Sequence, residues 1–212
     1  MLREPVIVVE QDTVPIVRMV AILLENARQY TNLATMMSEL NGSLTLQSST
    51  DTQAVSIQFN AGEIILGKGI SNTASVSAEI NFNSPISIGP DTSLDGAAEH
   101  PDFTQQIRTI FAPQSSGWRE AGQRFWMLYG DREGLPQALR AECTDDGQDL
   151  VLGEGTIQMH FIGSMNALAE IFTCATMPIT SVITGKICAL GDLKYLSTLS
   201  GVYFDRITGE LP

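Results

Sequence analysis

The fold is decided by residues 156–200, which contain T-I-Q-M-H-F-I-G-S-M-N-A-L-A-E-I-F and, after a loop, T-S-V-I-T-G-K-I-C-A-L-G-D-L-K-Y-L-S-T-L-S. Apolar and polar residues alternate from Ile157 to Phe161, which predicts a half-buried strand. After Gly163 the apolar residues recur at helical spacing, which predicts a helix. Residues 182–190 are predicted to form a second strand, followed by a short amphipathic helix. These elements have few polar groups on their inner faces, so we expect them to enclose either a core or a ligand.

The N-terminal half predicts a long helix over an antiparallel meander. One apolar seam runs through residues 14–40 at helical spacing: Ile16, Val20, Leu23, Ala27, Tyr30, Ala34 and Met37. Such a seam suits a helix packed on a sheet, or a dimeric coiled coil, although flanking charges are sparse. Alternation and short turns then predict strands at residues 43–47, 54–60, 63–67 and 74–82. The long helix is the natural cover for their apolar face.

Residues 84–149 interrupt this strand-rich pattern. Residues 84–101 are rich in Pro, Gly, Ser and Asp, and residues 102–141 predict helices, including a turn at residues 135–141. The segment W-R-E-A-G-Q-R-F-W, from Trp118 to Trp126, suits an amphipathic helix with its rings in a core. It also suits a lid over a pocket, with Arg119 and Arg124 meeting an anionic head group. At the C-terminal end, Gly201 is expected to stop the last helix, and residues 202–207 to form a final strand or a docked extension.

Composition excludes several classes of partner. The chain has 212 residues, 43% of them apolar, and a formal net charge of -12. That length and apolar content suffice for a substantial core. The negative charge disfavours nucleic acid and steady binding to anionic membrane surfaces. No apolar run approaches the roughly 18 residues of a spanning helix, so stable membrane insertion is not expected.

The cysteines indicate a reducing compartment. Cys143, Cys174 and Cys188 are far apart and include no C-x-x-C pair, so neither a zinc ribbon nor a dithiol site is predicted. Cys188 falls in a predicted strand and is expected to be buried. The first residues lack the apolar core of a secretion signal. These features predict a cytoplasmic protein.

Catalytic motifs are lacking in the sequence, which contains no H-E-x-x-H, G-x-S-x-G or S-x-x-K. His160 lies on the polar side of its predicted strand, and His100 precedes a proline in a loop, so surface roles are expected for both. We predict no catalytic residue, no metal site and no cofactor. Enzymatic activity is left open and is not the favoured interpretation.

Two blocks of sequence resemble the sterol carrier protein 2 family of lipid-binding domains. The first contains N-G-S-L-T-L, A-V-S-I-Q-F-N-A-G-E-I-I-L and A-S-V-S-A-E-I-N-F, and is similar to the family's first strand and following hairpins. The second is the stretch quoted at the start, and its Gly185-Lys186-Ile187 and Gly191-Asp192-Leu193 are the most specific part. In the family the meander leads directly to the helix, whereas here residues 84–149 intervene. The strand that precedes the helix also occurs twice, at residues 74–82 and 156–162.

The resemblance implies a single α+β domain over residues 1–212, with residues 84–149 inserted. Its antiparallel sheet of five to seven strands would be covered by the long N-terminal helix and the C-terminal helices. It implies a soluble carrier that binds a lipid, sterol or similar hydrophobic molecule between sheet and helices. The expected lining residues are Phe59, Phe82, Leu168, Phe172, Met177, Ile183, Leu196 and Leu199, together with Trp118 and Trp126. Two alternatives stay open: an enzyme or enzyme subunit acting on a hydrophobic substrate, and an interaction protein whose pocket has collapsed. An enzyme partner or a homodimer is compatible with either.

Overall fold

The computed structural model describes residues 4–11, 13–82, 86–112 and 117–209. The chain divides into two compact units, residues 1–114 and 115–212. The boundary falls inside the stretch predicted to be an insertion. The first helix of that stretch therefore belongs to the first unit, and its second helix belongs to the second unit.

The first unit is a mixed sheet with helices. Its elements are β1 (Val6–Val9), α1 (Pro15–Arg28), α2 (Thr31–Glu39), β2 (Asn41–Ser48), β3 (Ala54–Asn60), β4 (Glu63–Lys68), β5 (Val76–Ile80), β6 (Leu94–Asp95) and α3 (Pro101–Ile110). The strand order is β1-β4-β3-β2-β5-β6. The predicted meander is confirmed in β2, β3 and β4, which pair antiparallel. Strands β1 and β5 join β4 and β2 in parallel.

The second unit has its own sheet of four strands. Its elements are α4 (Trp118–Tyr129), β7 (Ala138–Cys143), β8 (Asp149–Gly153), β9 (Ile157–Gly163), α5 (Met165–Phe172), α6 (Pro178–Ile183), β10 (Ile187–Gly191) and α7 (Leu193–Thr208). The strand order is β10-β9-β7-β8, with β7 and β9 parallel and the outer pairs antiparallel.

Both sheets contain the same arrangement of four strands. A parallel central pair is flanked by one antiparallel partner on each side, as β3-β2-β5-β6 in the first unit and β8-β7-β9-β10 in the second. Strands β5 and β9 therefore hold equivalent positions. These are the two segments in which the sequence repeats its alternating pattern, so that repetition reflects two units with related topology.

The α+β class is confirmed, but the prediction of one antiparallel sheet is wrong. The described residues form two mixed sheets of six and four strands. Alternation of side chains has the same period in parallel and antiparallel strands, so it does not distinguish the two pairings. The α+β class alone does not test the resemblance to the sterol carrier protein 2 family.

The predicted long helix is two helices. Tyr30 has an extended backbone between α1 and α2, with φ -92° and ψ 120°. The break resets the helical phase, so Leu33 and Met37 face the core, while Tyr30 is only partly buried. A pattern of apolar residues at helical spacing does not reveal such a break, because apolar residues recur on both sides of it.

Four predictions in the second unit are also wrong. Residues 138–141 belong to strand β7, because pairing with both β8 and β9 overrides a helical pattern. The predicted strand at 182–190 is divided between α6 and β10, and Cys188 on β10 is exposed. The last helix continues past Gly201 to Thr208, because Val202 and Tyr203 extend its buried face.

Each unit has its own apolar core. The first cluster takes all its buried members from residues 16–111, and the second takes all of its members from residues 118–203. In the first core, Phe59 and Phe103 meet edge to face, with ring centroids 6.0 Å apart. In the second, the Phe125 ring contacts Tyr129 and Phe172, with centroids 5.3 and 5.9 Å away.

Candidate functional site

Most of the predicted lining residues lie together in the second unit. Trp118, Leu168, Phe172, Leu196 and Leu199 are buried members of its core, and Trp126 and Met177 pack against that core. Phe59 and Phe82 belong to the core of the first unit. Ile183 is 79% exposed and is not a member of either cluster. The candidate site is therefore the apolar cluster of the second unit.

Helix α5 enters this cluster directly from strand β9. Gly163 ends the strand, and a Cβ placed there would lie 2.7 Å from Ile187 Cγ2, so only glycine fits without a shift. Ser164 then caps the helix by accepting a hydrogen bond from the Ala167 amide at 3.2 Å. The cap fixes the first turn, and Leu168 and Phe172 follow on the buried face.

Helix α7 is positioned by the Gly191-Asp192 pair. Gly191 has φ 143°, and a Cβ there would lie 2.4 Å from the Gln158 carbonyl oxygen on β9. The glycine thus permits close approach of β10 to β9. Asp192 accepts a hydrogen bond from the Lys194 amide at 2.9 Å and caps the helix that carries Leu196 and Leu199. The most specific residues of the family resemblance therefore have a local structural role here.

Helix α6 lies beside α7 and has one buried face. Pro178 occupies its first turn, where proline is tolerated because the missing amide would have no helical partner. Pro178 and Ser181 are buried, Val182 packs on the cluster, and Ile183 faces outward. The Ile179 amide donates to the Ser200 hydroxyl on α7 at 3.2 Å, which links the two helices.

The cluster is closely packed in this conformation. Leu168 has no exposed surface, and Trp118 and Leu199 are each only 2% exposed, so their side chains adjoin almost no water-accessible space. Met177 and Trp126 are half-buried at the margin. Binding of a ligand in this cluster would therefore require movement of side chains or of a covering element.

Charged groups border the second core. Lys186, which precedes β10, pairs with Glu170 of α5 at 2.9 Å. Burial raises the pKa of the Cys174 thiol, and the Arg206 guanidinium opposes that rise by its charge and a hydrogen bond. Burial also raises the pKa of the Tyr203 hydroxyl, with a smaller contribution from Cys174. These neutral, buried forms suit an apolar site.

A polar cluster occupies one face of the second sheet and was missed by the sequence analysis. Arg140 Nε lies 3.1 Å from a carboxylate oxygen of Asp149, and His160 Nε2 lies 3.3 Å from Glu142. The alternation around His160 had indicated a polar face. The residues of β7 that lie beside His160 were not identified, because residues 135–141 were predicted to be helical.

A surface pocket of about 540 Å³ lies in the first unit. It is bordered by the end of β5 and the following loop, including Glu79, Asn81, Asp91 and Ser93. None of the ten predicted lining residues borders it. Its acidic and hydroxyl groups suit a polar molecule better than a lipid.

The described residues include neither a cluster of metal-ligating side chains nor a membrane-spanning helix. They contain no group of three His, Cys, Asp or Glu side chains placed to hold a metal ion. None of their helices is long and apolar enough to cross a membrane. Comparison of the chain with family models, curated proteins and solved structures found no match.

Proposed function

We propose that the protein binds a lipid or similar hydrophobic small molecule in the apolar cluster of its second unit and acts as a carrier. The observation that carries the proposal is the convergence of seven predicted lining residues in that cluster. Removing apolar ligand surface from water contributes about 25 cal/mol per Å², so such a ligand needs few polar contacts.

Resemblance to the sterol carrier protein 2 family supports this proposal. The order of β9, α5, β10 and α7 matches the strand, helix, strand, helix order on which the resemblance rests, with α6 added. The first unit contains the same arrangement of four paired strands as the second. The cytoplasmic location expected from the cysteines fits a carrier of this kind.

An interaction protein is the second candidate. The close packing of the cluster favours it, because Leu168 and Trp118 have almost no exposed surface. In that case the apolar residues stabilise the fold only, and no hydrophobic ligand binds.

Native mass spectrometry of the full chain, purified without detergent, distinguishes the two candidates. We expect a co-purifying lipid, and we expect the empty protein to bind a fluorescent fatty acid or sterol. Met177→Glu should weaken probe binding at least about tenfold, because binding would bury the new charge at the margin of the cluster.

Met127→Glu is the matched control. Met127 is in the same unit but is 78% exposed on α4 and is not a member of the cluster. Its substitution should leave probe affinity unchanged. Absence of both a co-purifying lipid and probe binding would reject the carrier proposal and favour an interaction protein.

A further inference from the structure

We propose that Ser181 of α6 is the polar anchor of the ligand, and that the ligand is an amphiphile with one uncharged oxygen at its head. This inference rests on the proposed function and adds the chemical class of the ligand. It assigns the Ser181 hydroxyl as the group that binds the head, while the apolar chain contacts the cluster of the second unit.

The Ser181 hydroxyl is buried without a partner. The residue has no exposed surface, and its Oγ has no hydrogen-bond partner among the described residues. A helical serine can bond to the carbonyl four residues before it, but that bond is not formed here. A buried hydroxyl without a hydrogen-bond partner destabilises a protein, so its presence calls for a role.

The Ser181 hydroxyl lies beside the apolar cluster. Ser181 is adjacent to Val182 on the inner side of α6, and Val182 packs against the second core. Met177, which also packs against that core, immediately precedes α6. A chain inserted between α6 and the core would therefore have its head within reach of Ser181.

Neighbouring groups favour an uncharged head. The hydroxyl of Ser200 already donates to the Leu196 carbonyl and accepts from the Ile179 amide. Lys186, after α6, is held by Glu170 at 2.9 Å. An ionised head placed at Ser181 would lose its hydration without gaining a free counter-charge from these groups, which is costly in an apolar site. A hydroxyl or ester oxygen needs only one hydrogen bond.

Access to the site requires movement of α6. The helix is bordered by two left-handed backbone positions, Cys174 with φ 56° and Gly185 with φ 72°. A residue in that region marks a sharp change of chain direction at each end of the segment. The hydrogen bond from the Ile179 amide to the Ser200 hydroxyl is one of the contacts that must open.

The test compares two probes of equal chain length on the full protein. We would measure binding of 1-dodecanol and dodecane by native mass spectrometry and by fluorescence of Trp118 and Trp126, which belong to or border the cluster. Ser181→Ala should weaken dodecanol binding about threefold to tenfold, the loss of one hydrogen bond. Dodecane affinity should not change.

Thr180→Ala is the matched control, since it removes an exposed hydroxyl from the same helix. It should behave as the unmodified chain does with both probes. Equal effects of Ser181→Ala on dodecanol and dodecane, or no effect on either, would overturn the assignment of Ser181 and leave the carrier function standing. Tighter binding of dodecanoate than of dodecanol would overturn the uncharged head. If the unmodified chain binds none of the probes, the carrier function and this inference fail together.

Discussion

At the scale of single residues, Cys174 combines an unusual backbone with a buried thiol. Its φ of 56° lies in the left-handed region, just after the end of α5, and the residue is 4% exposed. Burial raises the pKa of the thiol, and Arg206 only partly opposes this effect. The folded protein therefore keeps the thiol protonated at pH values where an unfolded cysteine has begun to ionise.

This difference predicts a loss of stability in alkaline solution. The folded state binds more protons than the unfolded state above the unfolded pKa of about 8.5, so the free energy of unfolding falls as pH rises. The contribution is fully present below the unfolded pKa and is lost as pH rises through the folded one. We expect the stability difference between the unmodified chain and Cys174→Ala to shrink between about pH 7.5 and pH 10. Urea unfolding across this range measures it, and a difference that stays constant would contradict the prediction.

Residue-level patterns also show which parts of the candidate site could be predicted. Leu168 and Phe172 follow from helical spacing after Gly163, and Leu196 and Leu199 from the same spacing after Asp192. Ser181 could not be found in this way. Its significance depends on having no hydrogen-bond partner among the residues that the structure describes, and a sequence does not contain that information.

At the scale of elements, α7 shows how a glycine can mislead. Gly201 is a common signal for a helix end, yet α7 continues for two more turns. The apolar residues Val202 and Tyr203 pack on the second core, and this packing outweighs the low helix propensity of glycine.

Gly201→Ala should therefore stabilise the protein. Among the described residues, a Cβ at this position meets no atom within 4 Å, so the substitution gains helix propensity without a clash. The expected gain is up to about 1 kcal/mol, or about 2–4 °C in Tm for a chain of this size. Thermal unfolding followed by circular dichroism measures the shift.

Gly163→Ala is the matched substitution with the opposite expected sign. Its Cβ would lie 2.7 Å from Ile187 Cγ2, so the β9–β10 pair must shift. We expect a lower Tm for this variant. A Tm for Gly201→Ala below that of the unmodified chain would show that the glycine is required by something other than the geometry of α7.

Elements with a clear period were predicted well, and short apolar runs were not. The meander strands and helix α3 lie close to their expected positions because their alternation or spacing extends over several residues. Residues 182–190 contain two short apolar runs, 182–183 and 187–190, without a clear period, which suits a strand and a helix equally. The division into α6 and β10 is set by Pro178 in the first turn of α6 and by the pairing of β10 with β9, and only the second of these depends on tertiary structure.

At the scale of the whole molecule, the two sheets share one arrangement of four paired strands. The predicted single domain treated residues 84–149 as an insertion, because in the family that the sequence resembles the meander leads directly to the helix. In the structure, β5 and β9 each occupy the same position in a separate sheet.

Hydrogen exchange of the full chain tests whether the two units unfold independently. A single domain over residues 1–212 stays a prediction, while the two separate cores favour two cooperative units. Ile57→Ala and Leu139→Ala remove buried side chains from the first and second core, respectively, at an expected cost of about 2–5 kcal/mol each. Each variant should accelerate exchange in the strands of its own sheet and leave protection in the other sheet unchanged. If either variant lowers protection equally in both sheets, the chain unfolds as one cooperative domain, because loss of a side chain from one core would then be transmitted to the other.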